Sequence, residues 1–533
     1  MPKIKLTTIL LILILIVAAF FRLWQLNQIP PGLYPDVAMN GTNALDSLKT
    51  GNFQVFYPDN NGREGLFFWL ISFSFLIFGP SIWAIKIVAA IFGLLTVLGT
   101  YLLTKELFRI LDSKFSILYS EVIALLASFF LATSFWHTNF SRIGFRAIMV
   151  PFCLVFAFYF LFKGFRTKKI WPFITSGIFF GLGFYTYIAY RFVVFILAIM
   201  LIYWWLIYKK QGLQKQFMIA TCYLLIITFL VALPLGIYFL LHPADFFGRA
   251  SGVSVFAEKN PILALGKSLV LHSGMFNFYG DANWRHNFAG LPMLPWLLGI
   301  LFIIGIVLSI KNLIAAHKNK NCQFLCVYCL LFSWFIFMLA PGFLSIEGAP
   351  HALRTIGVIP VVYIFVGIGA YWAFEKIKFF FKTKKQILVF YLCIALLLSA
   401  ITFSEFNKYF YLWGRNPEVA GAFSENYVEI GNYLNSLPDN VRKYVIVNQD
   451  GVPVPFPDGL SVAAQTPMFI ERAKYGKIRT TYLEPENIGR IKLEKDTVIV
   501  PLQYNEDLFF NLSQIAPTGE IQKIGDIWIY KIK

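Results

Sequence analysis

The sequence predicts a polytopic α-helical membrane protein that ends in a small α/β domain. Three observations carry that reading. Of 533 residues, 58% are hydrophobic and 14% charged, whereas soluble domains average roughly a quarter charged. Apolar runs of roughly 20 residues, enough to cross about 30 Å of hydrocarbon, recur as far as residue 403. Beyond residue 404 polarity becomes ordinary, and KYVIVN, IRTTYL and DTVIVP read as strands beside the helical SVAAQTPMFIERAKYG and NEDLFFNL.

The apolar runs predict about eleven transmembrane helices, near 6–24, 82–103, 119–135, 147–163, 172–188, 192–208, 217–239, 294–311, 323–340, 354–374 and 387–403. The run after MPKIK has no small-residue cleavage site behind it, so it reads as a membrane helix rather than a signal peptide. Cations fill alternate short connections: Lys3 and Lys5, then Lys105, Arg109 and Lys114, Arg166 and Lys168, Lys209 and Lys210, Lys318 and Lys320, Lys376 and Lys378. The positive-inside rule therefore predicts a cytoplasmic N-terminus in the cell (plasma) membrane. With an odd number of spans, the loops 25–81 and 240–293 and the C-terminal domain lie outside. Two domains are expected, 1–403 in the membrane and 404–533 extracytoplasmic.

The net charge of +18 does not point to nucleic acid. Residues 404–533 hold 14 Lys and Arg against 16 Asp and Glu, so the excess belongs to the membrane part, where it sets topology. No G-x-x-x-x-G-K-[ST], H-E-x-x-H or G-x-S-x-G motif occurs. The short basic inner connections leave no room for a nucleotide-binding domain.

Chemistry at the outer face would draw on the outer loops. In NQIPPGLYPDVAMNGTNALDSLKTGNFQVFYPDNNGREGLFFW, Asp36 opens an amphipathic stretch, and Arg63-Glu64 precedes an aromatic segment. Asp36 also reads as a helix N-cap, and the two roles are compatible. Further cations follow in SFWHTNFSRIGFRAIMVP (Arg142), YTYIAYRFVVF (Arg191) and GAPHALRTIGVIP (His351, Arg354). Ionisable groups at membrane depth are functional candidates by default, with snorkelling and helix capping as the alternative. Converging arginines would suit a lipid-linked phosphate, which Arg binds bidentately. NFYGDANWRHNFAGLPML adds Asp281, Trp284, Arg285 and His286, which together with Glu64 are candidates for holding a sugar or an acceptor.

In order and topology these motifs resemble the GT-C-fold glycosyltransferases of the family 39 class, which includes protein O-mannosyltransferases and bacterial aminoarabinose transferases. The resemblance covers roughly residues 1–403. Those enzymes carry an acid, usually Asp-Glu, at the start of a juxtamembrane helix in the first outer loop. Asp36 matches the Asp, and Val37 stands where the Glu is usual. The aminoarabinose transferases place a Lys six residues before a Trp to bind the donor phosphate; here Arg63 lies six residues before Trp69. NFSRIGFRAIMVP resembles the second outer loop but has Arg146 and Ala147 near the position of an acid. YTYIAYR, NWRHNFAGLP and APHALRTIGVIP resemble motifs of the bacterial members.

The resemblance implies transfer of a sugar, with inversion, from a polyprenyl-phosphate donor to a protein, lipid or envelope-glycan acceptor on the outer membrane face. Asp36 would be the catalytic base, and Arg63, Arg142, Arg191, His351 and Arg354 would bind the donor phosphate. No cofactor is required, and a divalent cation is left open. Two alternatives stand beside this reading: a lipid-linked-sugar flippase or transporter, and a non-catalytic binder of lipid-linked glycan. The PVPFPDG turn of the C-terminal domain reads as an acceptor-facing loop.

Overall fold

A computed structural model describes residues 6–110, 117–252, 254–455 and 459–532. Lys3, Lys5 and Lys114, and the centre of the PVPFPDG turn (Phe456, Pro457, Asp458), lie outside the described residues.

Among the described residues, nine helices are long and apolar enough to cross a membrane. They match nine of the eleven expected spans. The other two correspond to shorter helices, Tyr119–Thr133 and Ile170–Gly183. Hydropathy does not register what stops them. Ser134 ends the first by capping the next helix, Phe135–Phe140, where its side chain accepts from the His137 backbone N–H at 3.2 Å. That helix occupies part of what the sequence suggested was a simple loop. The last span continues past residue 403 to Trp413, finishing in a π-helical turn over Lys408–Trp413.

The chain forms two compact units, Met1–Trp24 with Ala89–Trp413, and Gln25–Val88 with Gly414–Lys533. The boundary expected at residue 403 follows polarity along the chain, whereas this division groups the first-loop segment with the C-terminal residues.

In the first unit, Ile359–Lys378 is the most deeply buried span. It packs on Trp296–Lys318 and on Ile117–Thr133. Backbone approaches backbone through glycines: a Cβ on Gly305 would overlap the Phe365 carbonyl, and one on Gly369 the Leu301 carbonyl. Small residues allow this close approach where no hydrophobic force favours helix over lipid. The Gln214–Leu241 and Lys384–Trp413 helices stay largely unburied, presenting apolar side chains that suit lipid tails.

The second unit contains a hairpin and a five-stranded sheet. The antiparallel hairpin is β1 (Phe56–Tyr57) with β2 (Arg63–Glu64). Asn60, Asn61 and Gly62 take positive φ at its tip, a conformation that Asn and Gly tolerate best. The sheet runs β4-β3-β5-β7-β6, with β3 (Arg442–Ile446), β4 (Thr481–Leu483), β5 (Thr497–Pro501), β6 (Gly519–Ile524) and β7 (Ile527–Ile532). β3 is parallel to β4 and β5, and β7 is antiparallel to β5 and β6. Val445, Val498, Val500 and Ile529 face a core with the Glu425–Ser436 and Gln465–Tyr475 helices, while Ile446, Ile499 and Tyr530 face one with Glu506–Ile515. The expected small α/β fold is therefore present, with both sheet faces covered.

Gly305→Val and Gly369→Val should each lower stability by about 1–3 kcal/mol through overpacking. Gly236→Val, where an added Cβ meets nothing within 4 Å, is the control. Thermal unfolding in detergent reads the difference, and equal effects at the three positions would refute the glycine-mediated contact.

Candidate active site

In the first unit a buried carboxylate joins two separate loops. Asp281, 2% exposed, accepts from the Ala352 backbone N–H at 2.8 Å and from His286 Nδ1 at 2.9 Å, both on Oδ2. Its Oδ1 accepts from the Asn283 N–H at 2.8 Å. His286 lies against Phe140 and faces the His351 ring, 4.9 Å away between centroids. Trp284 and Arg285 contribute through their backbones: the Trp284 carbonyl accepts from Trp413 Nε1 at 3.0 Å, and the Arg285 carbonyl from Asn139 Nδ2 at 2.7 Å.

His272, which the sequence gave no reason to select, extends this cluster. Its Nε2 accepts from the His351 N–H at 3.1 Å, and Nδ1 donates to the Ser268 carbonyl at 2.9 Å. One ring nitrogen accepting and the other donating defines a neutral imidazole. Burial agrees, lowering the His272 pKa from its ordinary value.

Asp281, His286 and His351 each offer one ligand atom, all within 4.8 Å of one another. This is a donor set suited to a divalent cation. The same carboxylate already accepts three hydrogen bonds, so the cluster also has a purely structural role in fastening the 350–355 segment.

That segment carries Arg354 to a cavity of about 380 Å³, which Arg191 also lines. The remaining wall is chiefly apolar and aromatic, including Tyr187, Phe192, Phe246 and Leu344. Arg191 stacks over Phe246 at 4.1 Å and donates to the Phe246 carbonyl at 2.8 Å. Arg354 pairs with Glu347 at 2.5 Å, and the Glu347 side chain is 67% exposed. An exposed carboxylate is a partner that another anion could replace, since it gives up little when it returns to water.

Arg142 is placed differently. It is fully buried and donates to the Phe21 carbonyl at 2.9 Å and the Trp24 carbonyl at 2.7 Å, at the end of the Leu6–Leu23 helix. Tyr409 and Phe410 flank it. Arg22, absent from the sequence candidates, donates to the Ala18 and Ala132 carbonyls and to His137 Nδ1 at 2.7 Å. Because a guanidinium can only donate, His137 must accept through Nδ1 and is neutral.

In the second unit, Asp36 lies in the first turn of the Pro35–Thr50 helix. The residue at the N-cap is Tyr34, with Pro35 following it, and no side chain caps the helix. The N-cap reading of Asp36 is thus corrected: Pro35 starts the helix one residue earlier than the acid. The Asp36 carboxylate instead accepts from Asn60 Nδ2 at 2.8 Å, presented by the left-handed hairpin tip. Arg63 is 2% exposed and donates to Asn40 Oδ1 at 2.9 Å, Asn43 Oδ1 at 2.8 Å and the Asp59 carbonyl. Glu64 is buried beside it in β2.

Residues 65–238, which include Arg142 and Arg191, match the family model described as dolichyl-phosphate-mannose-protein mannosyltransferase. No curated protein matches the sequence. Among solved structures, ArnT from Cupriavidus metallidurans bound to undecaprenyl phosphate is similar at a TM-score of 0.54 and 12% identity, over 98% of this chain and 97% of that one. The Archaeoglobus fulgidus oligosaccharyltransferase is similar at 0.50 and 13% identity over 83% of this chain; the chain spans 62% of that enzyme's length. These likenesses establish a GT-C fold for this multi-pass chain, as its motifs led us to expect.

Arg63→Gln should loosen the first-loop segment by about 2–4 kcal/mol, since it strips a buried network of charged donors. Limited proteolysis should then cut between residues 50 and 65 faster than in the unaltered protein. An unchanged cleavage rate would show that the network does not hold the hairpin.

Proposed function

We propose that this GT-C-fold protein transfers a glycosyl group from a polyprenyl-phosphate-linked donor to a hydroxyl acceptor at the outer membrane face. The observation that carries the reading is the cavity holding Arg191 and Arg354. Its apolar and aromatic wall suits an isoprenoid chain, and its two guanidinium groups suit a phosphate. The match of residues 65–238 to a mannosyltransferase family model supports the same chemistry, as does the similarity to ArnT bound to undecaprenyl phosphate.

In this reaction the bond between the anomeric carbon and the phosphate oxygen breaks, and its electron pair leaves with the polyprenyl phosphate. The acceptor oxygen forms the new bond to the anomeric carbon, and its proton passes to a carboxylate base, the role that the family resemblance gives Asp36. Direct displacement inverts the anomeric centre. Arg191 and Arg354 act electrostatically, where negative charge grows on the departing phosphate. Arg354 would exchange Glu347 for that phosphate, and Asp281 and His351 position its loop. Asn60 orients the Asp36 carboxylate through a hydrogen bond.

The donors of Arg63 and Arg142 are directed to protein groups, so in this reading both act by positioning the chain. The cytoplasmic N-terminus and extracytoplasmic C-terminal residues follow from the distribution of cations. They belong to the proposal, as does a protein, lipid or glycan as acceptor.

Asp36→Asn should reduce transfer by roughly 10²–10⁴-fold, the usual worth of a positioned general base, while leaving donor binding intact. Arg354→Ala should raise the donor KM by at least about tenfold, the loss of one charged hydrogen bond. A radiolabelled polyprenyl-phosphate sugar panel presented to the protein in lipid measures both. Full transfer by the Asp36 variant removes the base assignment, and an unchanged donor KM removes Arg354 from the phosphate site.

A further inference from the structure

Within the unit of Gln25–Val88 and Gly414–Lys533, the Pro35–Thr50 helix that carries Asp36 is held from two sides. The first-loop hairpin holds one side, where Asn60 donates to Asp36 and Arg63 to Asn40 and Asn43. The other side belongs to the Gln465–Tyr475 helix, reached by a contact between residues 433 positions apart.

Three contacts make this second grip. Thr466 Oγ1 donates to the Leu33 carbonyl at 2.9 Å, and both residues are buried. Gly41 lies against Phe469, where an added Cβ would come within 2.5 Å of the ring. Arg472 pairs with Asp46, Nη1 to Oδ2 at 3.2 Å and Nη2 to Oδ1.

The three are unequal. The Asp46 side chain is 47% exposed, so water screens that pair and it adds little. The Gly41 contact sets how close the two helices come. The Thr466 bond is buried and acts three residues before Asp36, where the chain turns into the helix. Leu33 precedes the N-cap Tyr34, so its carbonyl lies outside the helix's own hydrogen-bond ladder. The approach to this point is fixed as well. Lys86 Nζ donates to the Pro30 carbonyl at 2.9 Å. Gly32, at φ +74°, sits where a Cβ would overlap the Phe423 carbonyl.

A carboxylate in the first turn moves with the end of its helix, and a displacement of about 1 Å at a reacting group can cost roughly a hundredfold in rate. We propose that the Gln465–Tyr475 helix aims the Asp36 carboxylate, with Thr466 as the positioning residue. Residues near the C-terminus would thereby complete a site whose base lies in the first loop. The proposal rests on the base role of Asp36.

The test is steady-state transfer by the full-length protein in nanodiscs, from a radiolabelled polyprenyl-phosphate sugar. Thr466→Val keeps the side-chain shape and removes the hydroxyl. It should lower kcat by about tenfold or more, with the donor KM changed by less than about twofold, since donor binding is left alone. Thr466→Ser, which keeps the hydroxyl, should recover most of the rate. Added to Asp36→Asn, Thr466→Val should cost nothing further, because the hydroxyl acts through that carboxylate. Gly41→Ala, which forces the helix away from Phe469, should give the same kcat-selective and Asp36-dependent loss, so the test does not depend on one variant folding. Amide exchange across β3 and β5 checks that the C-terminal sheet remains formed. An unaltered kcat in Thr466→Val overturns the proposal. So does a loss that serine does not recover, or one equally large in the Asp36→Asn background, which would mark a purely structural role. Full transfer by Asp36→Asn alone removes the base reading and this proposal together. Loss of transfer in Asp36→Asn with none in Thr466→Val removes this proposal only.

Discussion

Polar groups carried into an apolar helix bundle are costly unless the protein satisfies them, and the charged groups of the membrane unit are placed accordingly. At the end of the Leu6–Leu23 helix, Arg22 and Arg142 donate to main-chain carbonyls. The bonds to Phe21 and Ala132 supply partners for carbonyls that a helix C-terminus leaves open. Glu405, of the opposite charge, accepts the Phe135 backbone N–H at 2.9 Å. Charges that would be expensive alone thereby become fasteners between the first helix, the 134–145 segment and the last span.

Against that background, the arginines of the 380 Å³ cavity differ in kind. Arg354 pairs with an exposed acid, and Arg191 lies across an aromatic ring beside open volume. Their positions depend on the neutral and anionic groups behind them. Asp281 fixes Ala352, His272 fixes His351, and Arg354 follows within three residues on the same segment. The chemistry we assign to the cavity thus rests on a buried hydrogen-bond network that need not itself touch a substrate.

Much of the architecture was legible along the chain. Span length is set by bilayer thickness, so nine helices emerged close to where hydropathy put them, and the β-branched runs of the C-terminal residues became β3, β4 and β5. Motif order led to the GT-C fold because order survives where identity has fallen to 12–13%. Two short helices were read as too long, since capping by Ser134 and a turn after Gly183 interrupt segments whose apolarity is continuous. Asp36 was read as a cap because the sequence does not reveal that Pro35 already occupies the first helical position.

The sequence by itself determined the class of the protein, the location of its helices and the short set of charged residues from which any site must be drawn. It could do so because transfer from water to hydrocarbon acts on each segment independently. Only the tertiary structure decided what each charge does. Arg142 and Arg63 became struts, Arg191 and Arg354 came to line one cavity, and His272 and Arg22 acquired roles that no local motif signals. Those outcomes turn on which carbonyl or carboxylate lies within about 3 Å, and residues as far apart as Asp281 and Ala352 meet only after the chain has folded.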